Sequence, residues 1–183
     1  MKKSIWKSWM TLTAVPILAA MLLPALTQGQ ALPVAGYPAA NNVPGAKELP
    51  DPNLTYKVIF SVTKAASAPN LVNPGLEGVA KFVNTLAQYG VPLSHRKIVV
   101  VIHQAAVPIV ENNETFKSRH HGVDNPNIGL IRSLTNAGVK FHVCGQGVLA
   151  NKIAPKDIQP DIQLDLWALT TMVNLEMHGY ARF

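Results

Sequence analysis

The run Lys97-Ile98-Val99-Val100-Val101-Ile102 constrains this chain more than any other stretch. A nearly continuous apolar strand has no side to leave in water, so it must be covered on both faces, as strands of parallel sheets are. The surrounding sequence alternates strand and helix signals. Tyr56 to Val62 is a β-rich run that reads as the first strand. Leu76, Val79, Val83 and Leu86 fall at i, i+3, i+7 and i+10, a single apolar helical stripe. Gly90 and Pro92 end that helix as a left-handed cap and a stop. After a long connection, His103 to Asp124, helical in part near Ala105 and polar beyond it, Asn125-Pro126-Asn127 opens a helix that closes at Gly138. Val139 to Cys144 reads as a third strand, Val148 to Ile153 as a short helix, and Ile162 to Leu164 as a fourth strand. Asp165 is expected to cap a last helix, Leu166 to His178, and Tyr180 to Phe183 to form an edge strand. This order implies an α/β fold, a three-layer α/β/α sandwich around a mainly parallel sheet of about five strands.

Residues 1–31 read as a signal peptide. Lys2, Lys3 and Lys7 form a basic start, Met10 to Leu26 is uncharged and largely apolar, and Gly29-Gln30-Ala31 offers a small-residue cleavage site. The expectation is export to the periplasm with no stable membrane insertion after cleavage; the alternative is an uncleaved N-terminal anchor. Residues 32–53, rich in Pro, Gly, Ala and Asn without a period, read as a flexible tail, leaving 54–183 as one domain. The chain carries +6, but three of its 16 Lys and Arg precede residue 31 and all ten Asp and Glu follow it. The exported form would carry 13 − 10 = +3 with no basic cluster, which argues against nucleic acid as a partner.

Cys144 is the only cysteine, so it forms no intramolecular disulfide and is a buried bystander, an intermolecular bridge or a reactive sulfur. It stands where a strand runs into a helix start, and His103 ends the preceding strand. In open parallel sheets that carboxyl edge binds ligands. A thiol at a helix N-terminus meets unpaired N–H groups and the positive end of the dipole, and Gly145 lets those amides approach. Such a thiolate suits attack on sulfane sulfur or binding of soft metal. Equally, free cysteine is among the most buried residue types, His103 suits a loop carbonyl, and His120-His121 suits a polar loop. His142 alternates with core positions and suits the cover of a solvated strand end. There is no C-x-x-C, G-x-S-x-G, P-loop or G-x-G-x-x-G, so no cofactor is implied. Cys144 with His103 and His120 or His121 lacks the paired spacing of a structural zinc site, and no metal is assigned.

Residues 97–103, Asn125-Pro126-Asn127 with its helix to Gly138, the segment "GVKFHVCGQ", and the closing Leu166 to Tyr180 resemble the DsrE/DsrF-like family over roughly residues 55–183. The resemblance implies a three-layer sandwich that assembles as a homo-oligomer, a trimer or hexamer. It also implies a sulfur-relay role, in which a cysteine at the position of Cys144 accepts sulfur as a persulfide and exchanges it with donor and acceptor proteins or small sulfur compounds. His103 matches a histidine often found at the end of the neighbouring strand in such relatives. Relay members are cytoplasmic, whereas this chain carries an export signal. The rival readings are a non-catalytic oligomeric binding module and a periplasmic soft-metal-binding protein.

Overall fold

The computed structural model describes residues 31–183; the signal-peptide reading concerns residues outside that range, apart from Ala31. Five strands form one wholly parallel sheet in the order β4-β3-β2-β1-β5. They are β1 (Tyr56–Val62), β2 (Arg96–Ile102), β3 (Lys140–Cys144), β4 (Ile162–Asp165) and β5 (Ala181–Arg182). The helices are α1 (Pro74–Gln88), α2 (Asn113–Arg119), α3 (Ile128–Asn136), α4 (Gly145–Ala150) and α5 (Ala168–Met177).

The central strand behaves as its sequence demands. Ile98, Val100 and Ile102 enter a large core with Leu76, Val79 and Val83 of α1, Leu130, Ile131 and Leu134 of α3, and Val148 of α4. Val99 and Val101 enter a smaller core on the opposite face with Ile59 and with Ala168 and Met172 of α5. Three helices thus cover one face and α5 covers the other. α1 begins with Pro74 in its first turn and the Asn73 side chain accepting the Gly75 N–H. It ends before Gly90, whose φ of +80° is the left-handed conformation glycine adopts freely.

Four expectations need correction. The connection after β2 is helical around Ala105 as expected, a 3-10 helix over Gln104–Val110, but the polar part beyond it is ordered too: α2 follows, with Asn112 accepting the Thr115 N–H as its cap. α4 begins directly after Cys144, earlier than Val148, and runs Gly145–Ala150. Asp165 does not cap α5; it is the last residue of β4, and Trp167 holds the cap position without a side-chain bond. Finally, residues 32–53 contain no helix or strand but are not a free tail. Val34 is fully buried in the larger core, and the buried Asn84 of α1 binds the Val34 N–H and C=O and the Tyr37 C=O at 2.7–2.9 Å. Composition hides this because one asparagine on the helix supplies the pairing the irregular segment lacks.

Asn84→Leu keeps the volume but strands three backbone groups. We expect a loss of about 3 kcal/mol in urea unfolding and much faster proteolysis around residues 34–45; unchanged cleavage would show that the segment is held by other contacts.

Candidate functional site

Alternation along parallel strands sorts side chains between the two faces. Ile59, Val99 and Val101 pack on the α5 face, and residues paired across parallel strands point the same way, so Ser61, His103, His142, Cys144 and Asp165 share it. This carboxyl-edge patch holds both residues singled out from the sequence, together with three that were not read as a group.

Cys144 is 5 % exposed, packed among Ile59, Val99, Val101, Ala168 and Met172. The backbone N–H of Ala168, the first residue of α5, donates to Sγ at 3.3 Å. The sequence leaves Cys144 open between a buried bystander and a reactive sulfur, and the accessible thiol that the reactive reading calls for is not what the fold presents: Sγ is buried. The donor is corrected too: it comes from the start of α5 rather than from α4, which follows in sequence. Gly145 explains the change. A Cβ there would lie 2.6 Å from the Asp165 carbonyl oxygen and 3.1 Å from that of Leu166. The chain needs glycine for this close approach, which presses the turn before α5 against the end of β3 and seats Sγ at a helix N-terminus.

His103 stands level with Cys144, since Ile102 pairs with Val143 one residue earlier. Its ring is engaged on the other side: Nε2 lies 2.8 Å from the Ser61 hydroxyl of β1. No hydrogen bond joins it to Cys144 among the described residues. Burial lowers its pKa, so the imidazole is neutral at pH 7.

On the β4 side, His142 Nδ1 meets Asp165 Oδ2 at 2.8 Å. The same oxygen accepts the Thr171 hydroxyl at 2.7 Å, and Oδ1 accepts the Gln163 amide at 2.7 Å. Burial pushes the Asp165 carboxyl up, but these three hydrogen bonds and the His142 charge outweigh it and hold it below the ordinary carboxylate range. An ionised Asp165 fixes a proton on His142 Nδ1, which orients the imidazole ring against the end of β4. The signal for this group was present: His142 and Cys144, and Gln163 and Asp165, alternate on two strands that must be neighbours if the sheet is parallel.

His120 and His121 lie elsewhere. His120 packs against Phe116 with ring centroids 4.1 Å apart and the planes tilted by 36° at the end of α2, and His121 (φ 52°) turns the chain before Gly122. Among the described residues no three His, Cys, Asp or Glu side chains are arranged to hold a metal ion. None of the described helices is long and apolar enough to cross a membrane.

The DsrE/DsrF-like family matches residues 57–182, from β1 through β5. The chain belongs to this family. Membership suggests a sulfur-relay-like function, and both Cys144 and His103 lie within the matched span. Among solved structures, the chain is similar to the protein of unknown function MTH1491 from Methanobacterium thermoautotrophicum, at 16% identity and a TM-score of 0.48, covering 70% of this chain and 97% of that one. No curated protein matches it.

Gly145→Ala forces a Cβ onto backbone, which gives way less readily than a side chain. We expect a loss of about 1–3 kcal/mol in urea unfolding, together with faster alkylation of Cys144 as the two turns part; unchanged values on both would show that the approach is not required. Stability should also depend on pH in two windows. His103 and His120 both have lowered pKa values, so the folded chain binds fewer protons than the unfolded one below about pH 6.5, and stability falls as pH drops through that window. Asp165, depressed in the folded state, adds stability above the unfolded value of about 4 that is lost on further acidification. Urea midpoints from pH 7.5 to 3 test both: His103→Gln should flatten the first decline, and Asp165→Asn the second.

Proposed function

We propose that this protein is an exported sulfur carrier of the DsrE/DsrF-like family, with Cys144 as the atom that holds sulfur. The observation carrying this reading is the seat of Sγ: at the carboxyl end of a parallel strand, facing the N–H that opens a ten-residue helix. A donor and a positive dipole end favour negative charge on sulfur, as thiolate or as persulfide. The thiolate attacks a sulfane sulfur of a polysulfide; the new S–S bond forms at Cys144 as the donor S–S bond breaks, and a polysulfide shorter by one sulfur leaves with the electron pair. Nothing is oxidised or reduced beyond that exchange. Because Sγ is buried, the donor reaches it only when the cover over Cys144 opens, and the Ala168 N–H faces the sulfur again once it has closed. His103 borders the seat and, bonded to Ser61, acts as a positioning residue.

A second reading is favoured by the burial itself: Cys144 as packing in a non-catalytic binding module. Intact mass after incubation with polysulfide separates the two. A reducible gain of about 32 Da, absent in Cys144→Ser, is expected for a carrier. No adduct, together with a thiol silent to alkylation in the folded state, would overturn the carrier reading in favour of packing.

Self-association belongs to the same proposal. α5 buries Ala168 and Met172 against the sheet, yet Leu169, Val173 and Met177 form an exposed stripe along its outer side, with Leu166 just before its start; Met177 is 84 % and Leu166 77 % exposed. A helix apolar on two faces is normally covered on both. The occupant we assign is a second copy of this chain, in a homo-oligomer such as a trimer or hexamer. Val173→Lys, on the outer stripe, should shift sedimentation toward the monomer without lowering the monomer's own stability; a wild-type protein that sediments as a monomer at all concentrations would refute the assignment. The export reading predicts mature protein in the periplasmic fraction, beginning at Leu32; retention with the membrane would identify the anchored alternative.

A further inference from the structure

The amino ends of the three central strands gather charges that the sequence scatters. β1 opens with Tyr56-Lys57, β2 with Arg96-Lys97 and β3 with Lys140. Lys57 pairs in register with Lys97, and Lys140 pairs with Val99, two residues further along β2. Lys97 alternates with Val99 and shares the α5 face with it, and register places Lys57 and Lys140 there as well. With strands about 4.8 Å apart and a rise of about 3.3 Å per residue, the Cα atoms of Lys97 and Lys140 are about 8 Å apart. Two side chains of that length reach one ligand between them.

The space between them is a notch of about 300 Å³. It exists because β2 runs for three residues, Arg96 to Ile98, before β3 pairs with it at Val99. Ser94, Arg96, Lys97, Gly138, Lys140 and Tyr180 line it, and no aspartate or glutamate does. None of Lys57, Arg96, Lys97 and Lys140 takes part in the ion pairs formed among the described residues. Lys57 is occupied in another way: Nζ donates to the His178 carbonyl at 3.1 Å and lies 5.9 Å from the centre of the Tyr180 ring. Arg96 Nε and Nη1 are sealed from solvent without a partner, so they lend the notch charge rather than contact. Lys97 and Lys140 are exposed and open to it. Solvation of a sheet margin is served by mixed signs, whereas like charges directly across neighbouring strands cost stability. Here the Lys57–Lys97 pair is joined by two further cations and no acid. An anion in the notch removes that repulsion.

We infer that the notch binds a small polyvalent anion bearing phosphate, sulfate or carboxylate groups, held between Lys97 and Lys140. Its volume stands at the lower end of ligand pockets, about 300–1,000 Å³, which limits the ligand's size. A long polyanion fits less well, because an extended phosphate backbone calls for cations spread along a face, and these surround a single notch. The site stands apart from the sulfur-carrier proposal: Lys140 opens β3 and Cys144 ends it, about 13 Å away.

The test titrates pyrophosphate into the mature protein at constant ionic strength and follows the backbone amide signals by NMR. Saturable shifts are expected at Lys97, Gly138 and Lys140, and acetate at the same concentration should give none. Replacing both lysines, Lys97→Gln with Lys140→Gln, should weaken pyrophosphate binding about tenfold or more. Both positions are exposed, so without pyrophosphate the double variant should melt no lower than the wild type. It should nevertheless lose the rise in melting temperature that pyrophosphate gives the wild type. Shifts that never saturate, or binding undiminished in the double variant, would overturn the inference. Saturable binding of a long oligonucleotide through the same lysines, with none of pyrophosphate, would overturn it in favour of an extended acidic partner.

Discussion

Everything in this fold depends on burying β2 from both sides. Its five apolar residues alternate between two cores, so the sheet must carry helices on both faces, and only parallel strands linked by helical crossovers provide them readily. The coverage is unequal. α1, α3 and α4 supply the larger core, whereas α5, ten residues long, screens the opposite face. The face under the thinner cover is the one that holds Cys144, His103 and the His142–Asp165 pair. The distribution of apolar surface thus decides where polar and reactive side chains sit near solvent yet remain shielded from it.

Within that face, the approach of two turns places the sulfur. Gly145 lets the carbonyls of Asp165 and Leu166 come closer than any side chain would permit, and as a result Ala168 aims its N–H at Sγ. The same approach orders the β4 end: Asp165, paired in register with Cys144, is held by His142, Thr171 and Gln163 rather than spending its carboxylate on the helix start. Cys144 therefore faces an N–H at the head of α5, while the Asp165 carboxylate at the same edge is taken up by hydrogen bonds to His142, Gln163 and Thr171.

The sequence made the sheet legible because its signal is local and repetitive. β1 and β2 follow from apolar runs, α1 from one stripe and its terminal glycine, and the order of elements from their alternation. The site was legible only in part. Cys144 and His103 stand at strand ends, as their positions in the chain require, and the register brings them level. Whether the sulfur is exposed depends on a helix that begins 24 residues later, and no local pattern carries that. Asp165 was misplaced for a related reason. A carboxylate before a helical run has the composition of a cap, but the strand extends to include it and a cross-strand histidine takes the bond. The segment 32–53 was misread because composition reports what a segment can bury by itself, whereas Asn84 on another element provides its partner.

α5 carries two obligations that pull in different directions. Its inner face must stay packed to complete the smaller core, and its first turn covers Sγ. Its outer face presents Leu169, Val173 and Met177 to solvent, next to the exposed Leu166 of the turn before it. A copy seated on that stripe, as proposed above, would touch the residues next to the turn whose Ala168 N–H meets Sγ, so the proposed assembly and the proposed access to the thiol would act through one element. A short helix suits this use. Ten residues hold little stability of their own, so α5 is fixed by what it packs against, which on its inner side is the smaller core of Ile59, Val99 and Val101.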